Sequence, residues 1–373
     1  MRVLIVGAGV AGCALYRRLK PLGFTVDIIE KSAALGSEGA AICLPANAML
    51  ALEKLGLSKP VLNLAYQVDQ VEYALPSGKT LSSASLHQAP LNKAPFVALK
   101  RDDLMSVLRK NMAEDVQLST WLEDIKHVDN EVLVTFQSGE TTSYDLVVAA
   151  DGINSSVRQM VQPDSAPLLH KVTNWRYTTK KPVAGIQPTY YVGNDSAFMI
   201  YPISEDEVYC YGQIMDDDGK FTSLASYKVI KEIFADYASP VSDCINDLTE
   251  DQPIVLGQLK TVKHTESLFG CVVLVGDALH GCPPSLQQGV GMSLEDINCL
   301  ADCLEQHELQ KALKKYQQQR VERVTWTVSE SNKIIKLAGL GRSPIGRFIR
   351  NTMIRVKGPA NVVGWRKLLT EMD

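Results

Sequence analysis

Short, uninterrupted apolar runs that end on glycine set the rhythm of this chain. Val3–Val6 is apolar at every position, the pattern of a strand covered on both faces, and it runs into Gly7-Ala8-Gly9-Val10-Ala11-Gly12. Helix-period residues Cys13–Leu19 follow, and a second apolar strand, Thr25–Ile29, stops at Glu30. The rhythm returns at Tyr144–Arg158, where an apolar strand reaches Asp151-Gly152 and Ser155 and Ser156 offer a helix start. It returns again at Cys271–Asp296, where a strand reaches Gly276-Asp277, a loop passes Pro283-Pro284, and Gly289 and Gly291 open a long helical pattern. Between these last two motifs the period shortens to two. Thr189–Val192, Ala197–Tyr201 and Val208–Gln213 read as strands parted by turns such as Gly193-Asn194-Asp195. Near the end, Ile345, Phe348, Ile349, Met353 and Val356 recur at spacings near three and four beside basic residues, predicting an amphipathic helix.

Composition narrows the class. The 373 residues are 46% hydrophobic and 21% charged, which excludes a disordered, coiled-coil, collagen-like or disulfide-framework chain. No apolar run reaches the roughly 18 residues of a membrane span. Cys13, Cys43, Cys210, Cys244, Cys271, Cys282, Cys299 and Cys303 form no CxxC pair or His/Cys cluster. No metal site is therefore expected, and the thiols suit a reducing, cytoplasmic compartment. Met1-Arg2 ahead of Val10-Ala11-Gly12-Cys13 mimics a lipoprotein signal, but one basic residue and glycines at fixed spacing favour a nucleotide turn. A net charge of −4 gives no reason to expect nucleic acid. The charge is uneven, however: from Lys311 onward, 14 Lys and Arg face 4 Asp and Glu. The plain reading of this tail is a helix packed on the domain; the sharper one is a docking surface for an acidic protein or anionic membrane.

The first motif carries the clearest chemistry. Gly7 permits a tight turn, Gly9 lets backbone approach a pyrophosphate, and Gly12 lets the helix pack on the sheet. The helix start offers unpaired N–H groups and partial positive charge to phosphates. Glu30 can accept hydrogen bonds from ribose hydroxyls and would repel a 2′-phosphate, favouring FAD or NAD over NADP there. In the third motif Asp277 can bind ribityl hydroxyls of a flavin. The glycine-rich helix start can then set N–H groups on the flavin ring edge that turns negative on reduction. The Asp151-Gly152 pair is also compatible with a plain turn.

Taken in this order and separation, the three motifs resemble the FAD-dependent aromatic hydroxylases, single-component flavoprotein monooxygenases typified by para-hydroxybenzoate and salicylate hydroxylases. The resemblance covers roughly residues 1–340. It implies cofactor contacts from Gly7, Gly9, Val10, Ala11, Gly12, Glu30, Lys31, Gly39, Arg101, Asp277, Pro284, Gly289, Val290 and Gly291. Arg101 matches the family arginine that reaches the FAD pyrophosphate, and Glu38–Ile42 with Asn47 matches the stretch passing over the flavin. Departures are Gly36-Ser37 where relatives carry Arg, Gln287-Gln288-Gly289 in place of Gly-Gln-Gly, and Gly291 in place of Asn.

The implied fold is α/β: a Rossmann-like FAD-binding domain (1–75, 101–165 and 266–310), an inserted antiparallel β-sheet substrate domain (76–100 and 166–265), and basic C-terminal helices (311–373). The inserted sheet would cover the flavin with substrate between them. Alternation puts Tyr209 and Tyr211 on one face and Cys210 and Gly212 on the other, so Tyr201, Tyr209, Tyr211 and Gln213 are candidate substrate contacts. Ordinary sheet roles for these tyrosines and Trp175 are the plainer reading. His280 is a candidate catalytic residue, with a supporting role as the alternative.

The resemblance implies a monooxygenase that uses FAD, transient NAD(P)H and O2 to hydroxylate an aromatic small molecule through a flavin C4a-hydroperoxide. Rival readings are another flavin reaction, hydroxylation of an aromatic side chain on a partner protein as in tryptophylquinone maturation, and a flavin-bound sensor without turnover. A halogenase lacks support, because its Trp-x-Trp-x-Ile-Pro stretch is absent.

Overall fold

The three glycine-terminated strands lie side by side. In the computed structural model, which describes residues 1–36, 40–183, 185–263 and 266–371, the strand Arg2–Val6 sits between Leu146–Ala149 and Thr25–Ile29, parallel to both. Val272–Leu274 pairs parallel with the far side of Leu146–Ala149, and the six-stranded sheet is completed by Leu268–Phe269 and Val116–Gln117. The register sets Val6 beside Ala149 and Ala149 beside Leu274, so all three strands deliver their motifs to one carboxyl edge. That edge is where open α/β sheets bind ligands.

Continuous apolar sequence follows from this position. Val3 and Ile5 join Leu15, Leu294 and Ile297 in a core on one face, while Leu4 and Val6 join Val132, Val134 and Val324 on the other. A strand in the middle of a doubly covered sheet has no solvent face, so the period-two signal vanishes.

A second sheet, of seven strands, runs in the order Val255–Thr261, Leu168–Lys180, Glu207–Met215, Ser196–Pro202, Thr189–Val192, Gln70–Ala74, Thr80–Ser85. It is antiparallel except where Thr189–Val192 meets Gln70–Ala74, two segments distant in sequence that no hairpin obliges to reverse. Gln70–Ala74 already belongs to this sheet, ahead of residue 76. Trp175, Phe198, Ile200 and Cys210 face one side, under the helices Tyr227–Ile233 and Val241–Asn246. Tyr73, Met199, Tyr201 and Tyr209 face the other, packed with Phe96, Ile354 and Trp365.

The chain closes with three helices, Leu309–Gly339, Pro344–Lys357 and Ala360–Leu368. Among the described residues no helix is long and apolar enough to cross a membrane.

Candidate active site

At the first motif, backbone geometry dictates the glycines. Gly7 has a φ of +102°, and a Cβ there would lie 2.6 Å from the Ala150 carbonyl oxygen. A Cβ on Gly12 would collide with the Gly7 carbonyl oxygen, whereas one on Gly9 would meet nothing within 4 Å. Gly7 and Gly12 thus serve close packing, and Gly9 leaves an open cradle at the helix start. No side chain caps the helix Val10–Leu19, so its first N–H groups are available to an anion.

Glu30 braces this turn while staying charged. Its carboxylate accepts from the Ala8 and Ser32 backbone N–H groups, each at 2.9 Å. Burial pushes its pKa up, but those N–H groups outweigh it and hold the carboxyl below its ordinary value. Each carboxylate oxygen retains a lone pair for a ribose hydroxyl. Val10 is half-buried, Ala11 is buried, and Lys31 is exposed with its ammonium 5.8 Å from the Trp121 ring. Gly39, with Ser37 and Glu38, lies outside the described residues. Arg101 opens the helix Arg101–Arg109 and is half-buried.

The third motif builds the facing half. Gly276, at φ +59°, has no room for a Cβ, which would come 2.8 Å from Ser293 Oγ. It turns the chain so that Asp277 starts a one-turn helix with its side chain exposed. Pro284 is exposed in the following loop, and Val290 is buried. Gly289 opens the helix Gly289–Gln306, again without a side-chain cap, and its Cβ position is 3.7 Å from Asp277 Oδ1. The carboxylate and the uncapped N-terminus are therefore neighbours.

The departures from the family pattern also find their reasons. A Cβ on Gly291 would meet Asn47 Nδ2 at 2.9 Å and Gln288 Oε1 at 3.0 Å. Asn47 and Gln288 exchange amide hydrogen bonds of 2.8 and 3.0 Å across that space. Gln287 occupies the left-handed region, φ +50°, that glycine would enter freely.

His280 is placed beneath the site rather than in it. The ring is buried, and Nε2 lies 2.8 Å from Asp296 Oδ2. The same oxygen accepts from the Gly276 N–H at 2.9 Å, and Arg320 Nε donates to Asp296 Oδ1 at 2.7 Å. Neighbouring Glu295 takes Arg320, Arg323 and Asn47. Burial raises the pKa values of both carboxyls, but the His280 and Arg320 charges beside Asp296, and the Arg320 and Arg323 charges beside Glu295, pull them below the ordinary range. His280 and the Gly276 turn thus share one buried carboxylate oxygen.

Three arginines carry links that spacing could not predict. Arg158 is wholly buried and donates to the carbonyls of Ile153, Ser165 and Ala278, tying the second motif to the third. Arg109 donates to Ala8, Leu35 and Gly36 carbonyls, tying the glycine turn to the segment after Glu30. Arg320 anchors Asp296. Only the last left a readable sign, a charge at helical spacing among apolar neighbours. Asp151 accepts from the Val157 N–H at 3.2 Å at the start of the next helix, and burial pushes its carboxyl pKa up.

The tyrosine wall belongs to the second sheet. The phenols of Tyr190 and Tyr201 meet at 3.1 Å, and Tyr190 stacks on Tyr73 with centroids 4.9 Å apart. Tyr209 lies opposite Tyr201 in register, Tyr211 opposite Met199, and Gln213 accepts from the Tyr211 hydroxyl at 3.0 Å. Burial drives the Tyr190 and Tyr201 phenols far above their ordinary pKa, so both stay protonated. Trp175 faces away and donates to the Leu224 carbonyl, an ordinary sheet residue. The two halves touch where Gln287 Nε2 reaches Tyr201 Oη at 3.5 Å.

Comparison with known proteins agrees with this geometry. Residues 1–331 match the family described as FAD binding domain. The chain is 27% identical to the aurachin C monooxygenase/isomerase of Stigmatella aurantiaca, over 95% of this chain and 94% of that protein. It is equally 27% identical to the 2-heptyl-3-hydroxy-4(1H)-quinolone synthase of Pseudomonas aeruginosa, again over 95% of this chain and 94% of that protein. Among solved structures it superposes on a salicylate hydroxylase substrate complex with a TM-score of 0.82 at 20% identity, covering 100% and 97% of the two chains. Klebsiella pneumoniae HpxO with FAD and uric acid gives 0.81 at 23%, covering 100% and 93%.

Proposed function

The chain belongs to the FAD binding domain family and is a FAD-dependent monooxygenase, and from that premise we propose that it hydroxylates a neutral, quinolone-like heteroaromatic bearing an apolar substituent. The observation that carries this reading is the tyrosine wall joined to the third motif at Tyr201 and Gln287. Two of its phenols are locked in the neutral, hydrogen-bonding form, and Met199 and Phe96 pack in the same cluster, which suits a flat ring with an apolar extension. Both relatives named with high coverage act, by their names, in quinolone or aurachin oxygenation.

The residues fit FAD. Gly9 and the uncapped start of Val10–Leu19 would cradle the pyrophosphate, Glu30 the ribose, Asp277 the ribityl chain, and the start of Gly289–Gln306 the ring edge. When bound, FAD supplies the redox chemistry, drawing electrons from NAD(P)H and activating O2. The protein orients the acceptor ring and keeps water from it. The buried Tyr73, Tyr201 and Tyr209 side chains serve exclusion, and the Tyr201 hydroxyl with Gln287 can hold a ring carbonyl or ring nitrogen in place. The cytoplasmic assignment rests on the free thiols alone.

Purified holoenzyme should oxidise NAD(P)H faster with 2-alkyl-4-quinolones than with salicylate or urate, and the product should gain one oxygen by mass. Stimulation by salicylate or urate and not by any quinolone would overturn the substrate class while leaving the monooxygenase intact. An aromatic side chain on a partner protein is the alternative acceptor. The depth of Tyr201 argues for the small molecule.

A further inference from the structure

The helix Pro344–Lys357 packs on the fold through one face and leaves an apolar face outside. Gly346, Arg350 and Ile354 point inward, where Ile354 joins the Tyr201 cluster and Arg350 donates to the Gly193 carbonyl at 2.7 Å. On the other side Ile345 is 75% exposed, Phe348 70% and Val356 78%, with Ile349 and Met353 also exposed. At 100° per residue these five side chains fall within an arc of roughly 140°, one continuous stripe. Large apolar side chains exposed side by side mark a contact surface.

Charge says what covers the stripe. Between Glu330 and Glu371 the chain has 9 Lys and Arg and no Asp or Glu. Arg355 and Lys357 lie on the helix itself, one at each edge of the stripe. Beside the end of the helix is a groove of about 180 Å³ lined by Ser83, Ser85, Lys357, Pro359 and Arg366, among others. Arg366 Nε is buried there and has no hydrogen-bond partner among the described residues. A groove with two cations and two hydroxyls fits an anionic phosphate.

We propose that this helix lies in the surface of an anionic bilayer. Ile345, Phe348, Ile349, Met353 and Val356 enter the headgroup–acyl boundary, and Lys357 with Arg366 holds a phospholipid phosphate in the groove. Phenylalanine and aliphatic side chains flanked by cations are the signature of an interfacial helix, which lies on a membrane without crossing it. An acidic protein would be recognised by the cations and would leave the apolar stripe unexplained. The placement is independent of which aromatic the enzyme oxidises.

Cosedimentation of the FAD-loaded protein with phosphatidylglycerol vesicles and with phosphatidylcholine vesicles tests it, with inorganic phosphate as a competitor. Binding to the anionic vesicles alone is expected, weakened by salt and not displaced by millimolar phosphate. Phe348→Glu combined with Val356→Glu should abolish sedimentation while flavin content and basal NAD(P)H oxidation stay unchanged. Lys357→Gln and Arg366→Gln should each weaken it roughly fivefold. Three results would overturn the proposal. One is absence of the wild type from the vesicle pellet. Another is equal pelleting by the double variant. The third is a solution dimer dispersed by Phe348→Glu that vesicles do not compete for, which would make a second copy the occupant.

Discussion

In the six-stranded sheet the groups we assign to the ligand are mostly backbone N–H groups and the space beside them, while in the seven-stranded sheet they are side chains assembled by register. Gly7, Gly9 and Gly12 lie within six residues of each other, and the turn they make is decided locally by φ and by the absence of Cβ atoms. Tyr73, Tyr190, Tyr201 and Tyr209 come from four strands, and nothing brings them together except the pairing of those strands. The first design tolerates little change in backbone and much in the surrounding side chains. The second should behave in the reverse way, and substitutions in each half can test the contrast.

The largest effect should come from beneath the nucleotide half. Asp296→Ala would leave His280 and the Gly276 N–H without their buried acceptor and Arg320 with Glu295 alone, a loss of about 3–5 kcal/mol by the usual cost of breaking a buried pair. Calorimetry should show a large fall in Tm, and the Gly276 turn should lose flavin with it. The pH dependence has a definite sign. Asp296 is held below its ordinary value of 3.8, so its contribution is fully present above that pH and is lost as pH falls through the lower folded value. The wild type should therefore weaken at acid pH, and Asp296→Asn should start weaker and lose less.

Asp277→Ala should separate binding from stability within the same half. Its side chain is exposed, so the apoprotein should unfold within about 0.5 kcal/mol of wild type. FAD affinity should fall by roughly tenfold or more, the worth of a charge-assisted hydrogen bond. Fluorescence titration of the apoprotein reads this directly, and unchanged affinity would remove Asp277 from the cofactor site.

The same contrast explains what could be read in advance. The glycine motifs are contiguous and repeat a strand-then-glycine pattern, so their covered strands were legible from the apolar runs, and their shared edge from the family resemblance those motifs carry. Alternation also separated Tyr209 from Cys210 correctly, because a strand's two faces follow from its period. Arg158 was not legible as a tie, since its three acceptors are backbone carbonyls from residues 153, 165 and 278. Carbonyls carry no sequence signature. The Asn47–Gln288 pair was hidden for a related reason: each amide is satisfied by the other across 241 residues of chain. The parallel pairing of Thr189–Val192 with Gln70–Ala74 likewise depends on two segments that no local turn connects.

In the tyrosine half, Tyr201→Phe should be milder than Asp296→Ala. It removes hydrogen bonds to Tyr190 and Gln287 and leaves the ring stack with Phe96, so stability should drop by about 0.5–1.5 kcal/mol. FAD content should hold while KM for the aromatic substrate rises. A loss of FAD with unchanged KM would mean that the wall supports the cofactor instead of the substrate.

A small effect on folding is also the sharpest probe of the boundary between the halves. Gln287 sits at φ +50°, ψ +37°, a conformation that costs a residue with a Cβ about 1 kcal/mol and glycine almost nothing. Strain of this kind persists where the surroundings hold it, and here the side-chain amide spans from the Tyr201 hydroxyl to the Asn361 amide, each at 3.5 Å. Gln287→Gly should therefore raise stability by about 1 kcal/mol and leave FAD affinity as it was. If the amide holds the ring of the substrate, KM should rise by several-fold in the same variant. Stabilisation with KM unchanged would show that the strained residue takes no part in recognition, moving the substrate contact wholly onto the tyrosines.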